Sequence, residues 1–519
     1  MRQLQEKIQK PWQVRSSLSR LSRLIRVLRA IRGQNSSLSN PPHLFRLIHV
    51  LHAIRGQNPS LPLLTAFLLC LTPFLVGAQA VRSTIITNGP AANRINLVVL
   101  SEGYQTNQLG KFLIDATNEV NNLLSTPPYQ EYRSYFNAFA ISIASVDSGS
   151  DHPSAGVFKN TYFNSSYDSF GLSELLTIPP NDRDANYNNG EGKVINLLTN
   201  LVPEYDLVML LVNDLQYGGS GGSILISSLH VDSAEIVRHE SGHAFAGLAD
   251  EYGDPFPGSV PIEKPNATAQ TNRALVKWNA WILPTTPLPT PEDPTNAQVV
   301  GLFEGAEYQF TGWYRPKLDC KMRTLGEPFC EICSEALVKS IYSAIRPIDT
   351  FTPASTNLNV PGSQTLPFSI TALQPTTHDL YVQWYTNNVA INGETNATFQ
   401  LPPNSLGTGT HTIRAVVYDP TALVRTDPAN LLRATNTWSV TVNGTSTSLS
   451  LIEPLWLTNN SFRLTVTGTA PQGFVIQAST NLINWVSLTT NVLSANRFDY
   501  TNFSQTNMVR RFYRAYTPP

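Results

Sequence analysis

The chain has 519 residues, more than one ordinary domain holds, and 41% of them are hydrophobic, which suffices for packed cores. Lys and Arg number 36 and Asp and Glu 37, so the formal net charge is -1. This balance excludes a basic field for nucleic acid and an acidic tail. The second half is rich in Thr, Asn, Ser and Pro and poor in Lys, a composition that favours extracellular β-modules over a cytosolic enzyme.

The N-terminus carries a basic segment and then an apolar one. Residues 1–60 contain an internal repeat that begins at Arg23 and again at Arg46. The repeat fits a basic amphipathic element for a membrane surface or nucleic acid, or an upstream leader outside the mature fold, which we favour. Residues 61–80 end in Ala-Gln-Ala, a signal-peptidase pattern, so we predict a signal peptide. The mature chain would begin near Val81 and be secreted or held in the cell envelope.

From residue 81 to residue 350 the pattern alternates between strands and helices, which predicts an α+β (α/β-like) domain. The predicted strands are Ile95–Leu100, Phe139–Val146, Tyr205–Val212 and Ser223–Val231, and the predicted helices are Phe112–Leu124 and Ser233–Ala249. Tyr205–Val212 is apolar on both faces, which predicts a central strand. Ser223–Val231 fits either an edge strand that pairs with an extended peptide or an ordinary internal strand.

The rest of the chain shows short alternating strands separated by Asn, Gly and Pro turns. This pattern predicts an Ig-like β-sandwich over 351–445 and a second all-β module over 446–519. Such modules contact glycans, cell surfaces or proteins, or space a catalytic domain, and their sequence shows no ligand constellation. The oligomeric state is left open.

A motif for metal chemistry lies in the last predicted helix, namely His239-Glu240-Ser241-Gly242-His243. Residues four apart lie on one helix face, so the two imidazoles can reach one cation. Glu240 lies beside them, where it can take a proton from a water molecule as general base. The motif therefore predicts Zn²⁺ with His239 and His243 as ligands. The alternative is a surface helix with two solvated histidines.

Zinc needs a third protein ligand, and acidic residues follow the helix. If the helix continued straight, Asp250 would lie ~10 Å beyond His243 along the axis, too far to bind. Gly247 offers a break after which the chain can fold back. We therefore predict Asp250 as the third ligand. The alternatives are Glu251, His152 and His230.

The predicted mature chain contains three cysteines, Cys320, Cys330 and Cys333. In an oxidising compartment we expect a disulfide from Cys320 to one of the other two, with one thiol left over. The alternative is a zinc site with three cysteine ligands.

The segment His239–Tyr252 resembles the zinc-binding segment of the M64 metallopeptidases, a family typified by a bacterial IgA peptidase. The resemblance extends to Asn96–Tyr104, Asp147–Pro153, Gly218–Gly222, Trp313–Pro316, Cys320–Arg323 and Phe329–Cys333. It implies a metzincin-type zinc peptidase domain over 81–350 that acts on peptides. It also implies that His239 and His243 are ligands and that Glu240 is the base.

The resemblance further implies that Met322 forms the methionine turn beneath the metal, whereas the alternative is an ordinary core methionine. The broader metzincin pattern has Gly three residues and His six residues after the second histidine. Here those positions are Ala246 and Ala249, while Gly247 and Asp250 come one step later. This departure affects only the third ligand.

We therefore predict a secreted zinc metallopeptidase, an endopeptidase rather than an exopeptidase, with Glu240 as general base. A further donor to the oxyanion would be Tyr252 or Arg323. The alternatives are a surface binding or adhesion protein with a degenerate peptidase domain, and a zinc hydrolase of a non-peptide amide.

Overall fold

A computed structural model of the chain describes residues 79–180, 189–443, 448–458, 460–503 and 510–518. The leader predicted at 1–60, and the signal peptide predicted at 61–80 apart from its last two residues, lie outside the described residues. Within the described ranges, the helices lack the length and apolar character that a membrane crossing requires.

The first part of the described chain is a mixed sheet with helices on both faces. The strands are β1 (Val81–Ile86), β2 (Ile95–Glu102), β3 (Phe136–Ser142), β4 (Leu207–Val212), β5 (Gly219–Ser220) and β6 (Leu225–Ser227). The helices are α1 (Leu109–Leu124), α2 (Gly190–Leu201), α3 (Ser233–Ala246) and α4 (Glu331–Ala344). The strand order is β1-β3-β2-β4-β6-β5, with β3, β2, β4 and β6 parallel and the two outer strands antiparallel.

The core lies on both sides of this sheet. Every residue of β2 and of β4 is buried, so the prediction that Tyr205–Val212 is a central strand is confirmed. Side chains alternate along β2, so Leu97 and Val99 pack with α1, α3 and α4, whereas Val98 and Leu100 pack with α2. Each fully buried large apolar side chain contributes ~1.5–3 kcal/mol.

All four strand predictions differ from the structure in their bounds, most of all Phe139–Val146 and Ser223–Val231. Strand β3 ends at Ser142, because the Ser101 hydroxyl takes over the hydrogen bonds of Ile143: its Oγ accepts from the Ile143 N–H at 2.7 Å and donates to the Ile143 carbonyl at 2.8 Å. The strand predicted at Ser223–Val231 is limited to β6. Strand β6 is internal, because β5 pairs with its outer side. The edge-strand interpretation is therefore wrong for β6.

A short hairpin, β7 (Phe303–Ala306) and β8 (Gln309–Arg315), precedes α4. The chain from Ile348 onward forms strands in the regions predicted to be β-rich. These strands are β9 (Ile348–Thr352), β10 (Asn357–Pro361), β11 (Leu366–Ala372), β12 (Tyr381–Thr386), β13 (Val389–Ala390), β14 (Thr398–Leu401), β15 (Gly409–Tyr418), β16 (Arg433–Asn443), β17 (Ser450–Trp456), β18 (Phe462–Thr467), β19 (Gln472–Ser479), β20 (Val486–Leu493), β21 (Arg497–Asn502) and β22 (Phe512–Tyr516).

The sheets of this β-rich part share cores in pairs. The sheets β10-β16-β15-β12-β13 and β14-β11-β9 enclose one core, in which the rings of Trp384 and Trp438 stack at 5.8 Å. The sheets β17-β18-β21 and β20-β19-β22 enclose a second core around Phe474. The first pair packs against the α/β part, where buried Asp419 accepts hydrogen bonds from Tyr132 and Tyr342.

Candidate metal centre

Helix α3 ends at Ala246, three residues earlier than predicted, because the next residue leaves the helical conformation. Gly247 has φ +64°, the left-handed region that favours glycine, and its N–H donates to His243 O at 3.0 Å. The Leu248 N–H then donates to Gly242 O at 3.1 Å. The predicted helix break at Gly247 is confirmed, and it turns the chain back toward the helix.

The turn brings three polar side chains close together. We call His239, His243 and Asp250 the histidine cluster. Asp250 Oδ1 lies 3.1 Å from His239 Nε2 and 3.2 Å from His243 Nε2. The two Nε2 atoms lie 3.2 Å apart. The structure thus places both motif histidines and the predicted third acid within reach of one ion.

Backbone contacts orient the two imidazole rings. His239 Nδ1 lies 2.9 Å from the carbonyl oxygen of Lys321, and His243 Nδ1 lies 2.8 Å from that of Leu248. A carbonyl only accepts, so each Nδ1 is an N–H donor, and a neutral ring therefore turns its Nε2 lone pair toward Asp250. Three acceptor atoms then converge, an arrangement that a cation stabilises.

The charges in the histidine cluster depend strongly on one another. Burial raises the pKa of Asp250, but the two histidines outweigh this effect and hold it well below its usual range. Burial lowers the pKa of His243, but Asp250 outweighs that effect and raises it to about 9. Burial also raises the pKa of Glu240, against the opposite effect of the histidines. Glu240 is therefore a half-buried carboxyl whose proton affinity exceeds that of a solvated one.

The second oxygen of Asp250 accepts a hydrogen bond from the Tyr308 hydroxyl. Tyr308 lies in the turn between β7 and β8 with φ +62°, and its ring packs edge-on against that of Tyr252 at 5.6 Å. Sequence reasoning missed Tyr308, since it follows Asp250 by 58 residues and belongs to no motif.

The glycine-rich turn Gly218–Gly222 lies directly against helix α3, which carries His239 and His243. A Cβ on Gly221 would lie 2.5 Å from Glu240 Oε2 and 2.7 Å from His243 Cβ. A Cβ on Gly219 would lie 2.5 Å from Ile236 Cγ2. Only glycine fits at these two positions, because any side chain would collide with α3. The backbone of β5 and of the turn after it therefore lies close to Glu240.

Met322 packs against the helix from the other side. It is fully buried, and a Cβ on Gly242 would lie 2.6 Å from Met322 Sδ. The Met322 carbonyl accepts from the Glu251 N–H at 2.8 Å, one residue after the Lys321 carbonyl that holds His239. The segment Lys321–Met322 therefore positions both His239 and the stretch of chain that carries Asp250.

The other candidates for the third ligand lie elsewhere in the described chain. His152 pairs with Asp214 at 2.8 Å, and His230 lies 3.4 Å from Asp232. Glu251 turns away from the histidine cluster toward the cysteines. Among the described residues, none of these three alternatives groups with His239 and His243 as a possible ligand of one ion.

The predicted disulfide is wrong for the described residues. Cys320, Cys330 and Cys333 are buried free thiols, and the Sγ atoms of Cys320 and Cys333 lie 3.7 Å apart. A disulfide needs a sulfur–sulfur distance of about 2.05 Å.

The fold and the converging side chains define an α/β protein with a candidate metal centre and an acid beside it. The family model for IgA peptidase M64 matches residues 84–297 and 292–341. The chain belongs to this M64 peptidase family over those residues, so it is related to peptidases, and the resemblance noted in its sequence is confirmed.

Other comparisons add little. A comparison with curated proteins found no match. Among solved structures, the chain is similar to fibronectin(III)-like modules of Clostridium thermocellum CbhA, with 15% identity over 18% of this chain and 96% of that one and a TM-score of 0.14. It is also similar to β-glucuronidase 3 of Bacteroides uniformis, with 10% identity over 40% of this chain and 27% of that one and a TM-score of 0.14. Such low TM-scores support no inference about this chain.

Proposed function

We propose that the chain is a secreted zinc-dependent metallopeptidase that cleaves internal peptide bonds. One observation carries the proposal: the Nε2 atoms of His239 and His243 and Oδ1 of Asp250 lie within 3.1–3.2 Å of one another, with half-buried Glu240 between the two histidines in sequence. Membership of a peptidase family supports the reaction class.

The donor set fits zinc. Catalytic zinc sites use three protein ligands, with imidazole nitrogen and carboxylate oxygen prominent among them, and keep one position open. His239, His243 and Asp250 would hold the ion, and the Lys321 and Leu248 carbonyls orient the rings as outer-shell partners do. When bound, zinc supplies a Lewis acid that polarises a carbonyl and acidifies water.

The chain's own residues perform the proton transfers. Glu240 takes a proton from the attacking water and returns it to the leaving amine. This work needs a group that holds the proton in one step and releases it in the next, and burial favours the protonated form of Glu240. We assign the oxyanion donor to Tyr252, because its hydroxyl is within hydrogen-bonding reach of Asp250, whereas Arg323 is bonded to Leu318 O.

The finer assignments of fold belong to the same proposal. The position of Met322 against Gly242 supports a metzincin-type methionine turn. We assign 81–350 to the peptidase domain, 351–445 to an Ig-like β-sandwich and 446–519 to a further β-module. The two cores of the β-rich part support this division. These modules would contact glycans, cell surfaces or proteins, and residues 61–80 would direct export.

Digestion of a peptide library with blocked termini tests the proposal. The purified chain should cleave internal bonds, lose this activity with a chelator and regain it with zinc but not with magnesium. His239→Ala should be inactive, whereas the control His411→Ala, at a partly exposed position of β15 in the β-rich part, should retain activity. Cleavage that survives a chelator would refute metal dependence. Zinc binding by the wild type without cleavage of any peptide would instead favour a binding protein with a degenerate peptidase domain.

A further inference from the structure

A second group of ligand atoms lies next to the histidine cluster. We call it the cysteine cluster, and its members are Glu251, Cys320, Cys330 and Cys333. Their ligand atoms all lie within 4.8 Å of one another, and no member is more than 5% exposed. The members come from three separate segments: the chain after α3, the segment around Met322, and the start of α4.

The spacing of these atoms is that of ligands around one ion. The Sγ atoms of Cys320 and Cys333 lie 3.7 Å apart, and Cys333 Sγ lies 3.2 Å from Glu251 Oε1. Tetrahedral zinc with Zn–S of about 2.3 Å and Zn–O of about 2.0 Å has S···S edges of about 3.8 Å and S···O edges of about 3.5 Å. The observed sulfur separation matches the first value and exceeds the length of a disulfide by far.

The polar surroundings also point to a cation. Asn266 donates to Glu251 Oε1 at 2.8 Å, but Oε2 has no hydrogen-bond partner among the described residues. The Cys330 N–H donates to Cys320 Sγ at 3.2 Å, the kind of contact that supports a ligating thiolate.

We propose that Glu251, Cys320, Cys330 and Cys333 form a second metal site that holds a structural zinc ion. Thiolates favour zinc over magnesium or calcium, and the carboxylate completes a four-coordinate shell. Because the protein supplies all four ligands, no position is left for water or substrate, which distinguishes this site from the histidine cluster.

The second ion would brace the first site. Asp250 and Glu251 are consecutive, so an ion held by Glu251 fixes the chain that carries Asp250. Cys320 precedes Lys321, whose carbonyl holds His239, and Met322, whose carbonyl holds the Glu251 N–H. Glu251 also lines a cavity of about 540 Å³.

Metal analysis and cobalt substitution of the full chain test this proposal, in a Cys70→Ser background so that only the three buried thiols report. We expect two zinc ions per chain. We also expect a thiolate-to-cobalt charge-transfer band in the cobalt-loaded protein, which imidazole and carboxylate ligands cannot produce. His239→Ala/His243→Ala should keep one ion and the band. Cys320→Ser/Cys333→Ser should lose the band and keep the ion of the histidine cluster.

Thiol labelling separates this proposal from a disulfide. The three thiols should resist alkylation in the zinc-loaded protein and become reactive when a chelator is added. Thiols released only by a reductant would show a disulfide and overturn the proposal. Absence of the band from reduced, cobalt-loaded His239→Ala/His243→Ala would overturn it as well, even if the cysteine variant fails to fold. Neither result would affect peptide cleavage by the wild type, so the proposed function is tested separately.

Discussion

The histidine cluster and the cysteine cluster receive consecutive residues, Asp250 and Glu251, yet they differ in access. The side chains of His239 and His243 are 12% and 18% exposed, so their cluster borders solvent. Glu251 is fully buried among the thiols. Catalytic zinc sites are open and structural ones are closed, so the contrast supports our proposals of catalysis at the first cluster and bracing at the second.

The backbone explains how neighbouring side chains reach different sites. The left-handed Gly247 reverses the chain, and hydrogen bonds then hold it from two sides. The Asp250 carbonyl accepts from the Glu307 N–H at 3.0 Å, and the Glu251 N–H donates to Met322 O at 2.8 Å. The segment is thus clamped between the hairpin and the methionine segment, with one acid directed to each cluster.

Substitution of Asp250 should have the largest effect on the histidine cluster. Asp250→Asn removes the only carboxylate of the cluster, so we expect peptide cleavage to fall more than 100-fold, beyond the 10- to 100-fold typical of outer-shell losses. Cleavage and zinc content measured together check this. Asp254→Asn, at an exposed acid four residues later, is the control and should behave like the wild type. An active Asp250→Asn would remove Asp250 from the site.

Tyr308 should matter less, because it contacts Asp250 rather than the ion. Tyr308→Phe removes the hydroxyl that donates to Asp250 Oδ2, and we expect a 10- to 100-fold loss of zinc affinity. Titration against a competing chelator measures this, and excess zinc should restore cleavage. Tyr381→Phe, at a half-exposed site in the β-rich part, should leave the affinity unchanged. Equal affinities for both variants would contradict the role given to Tyr308.

The sequence predicted the parts of the site that depend on local geometry. Helical spacing places His239 and His243 on one face, and Gly247 marks the point where the helix must end for Asp250 to return. The structure agrees with both inferences. Tyr308 could not be predicted, because a turn between two strands delivers it and no periodicity points there.

The cysteines show where composition misled. An oxidising compartment suggested a disulfide from Cys320, whereas the folded chain holds its sulfur 3.7 Å from that of Cys333. The sequence did not indicate that Glu251 lies among the cysteines, because its position depends on the direction that the chain takes after Gly247. Strand bounds failed for a similar reason, since the Ser101 hydroxyl, rather than a strand partner, bonds Ile143.

Packing between the two clusters can be tested with a matched pair of glycines. Gly242→Ala places a Cβ 2.6 Å from Met322 Sδ, so we expect overpacking to lower the free energy of unfolding by about 1–3 kcal/mol. Gly110→Ala in α1 meets no atom within 4 Å and should be neutral or stabilising. Denaturant unfolding measures both. Equal stability of the two variants would show that Met322 yields without cost.

Asp349 offers a contrast with Asp250 and Glu251, because its partner is a cationic side chain, Arg94, and not a metal ion. Arg94 Nη1 lies 2.7 Å from Asp349 Oδ1, and although burial raises the pKa of Asp349, Arg94 holds it below its usual value. A lowered folded-state pKa stabilises the protein above the unfolded pKa of about 3.9, and this gain is lost as the pH falls through the folded value. Asp349→Asn should therefore cost about 1–2 kcal/mol at neutral pH.

Unfolding curves of the wild type and Asp349→Asn at neutral pH and below pH ~4 check the sign. The stability gap should close in acid, and chelators should not change it. A gap that stays constant with pH would mean that the Arg94–Asp349 pair does not carry the effect.

The central claim concerns Glu240 and is tested by measuring zinc content and blocked-peptide cleavage on the same samples of wild type and Glu240→Gln. Glu327→Gln, at an exposed acid, is the matched control and should equal the wild type. The account predicts that Glu240→Gln binds as much zinc as the wild type while its cleavage falls by about 10²–10⁴-fold. Cleavage by Glu240→Gln at the wild-type rate would contradict it.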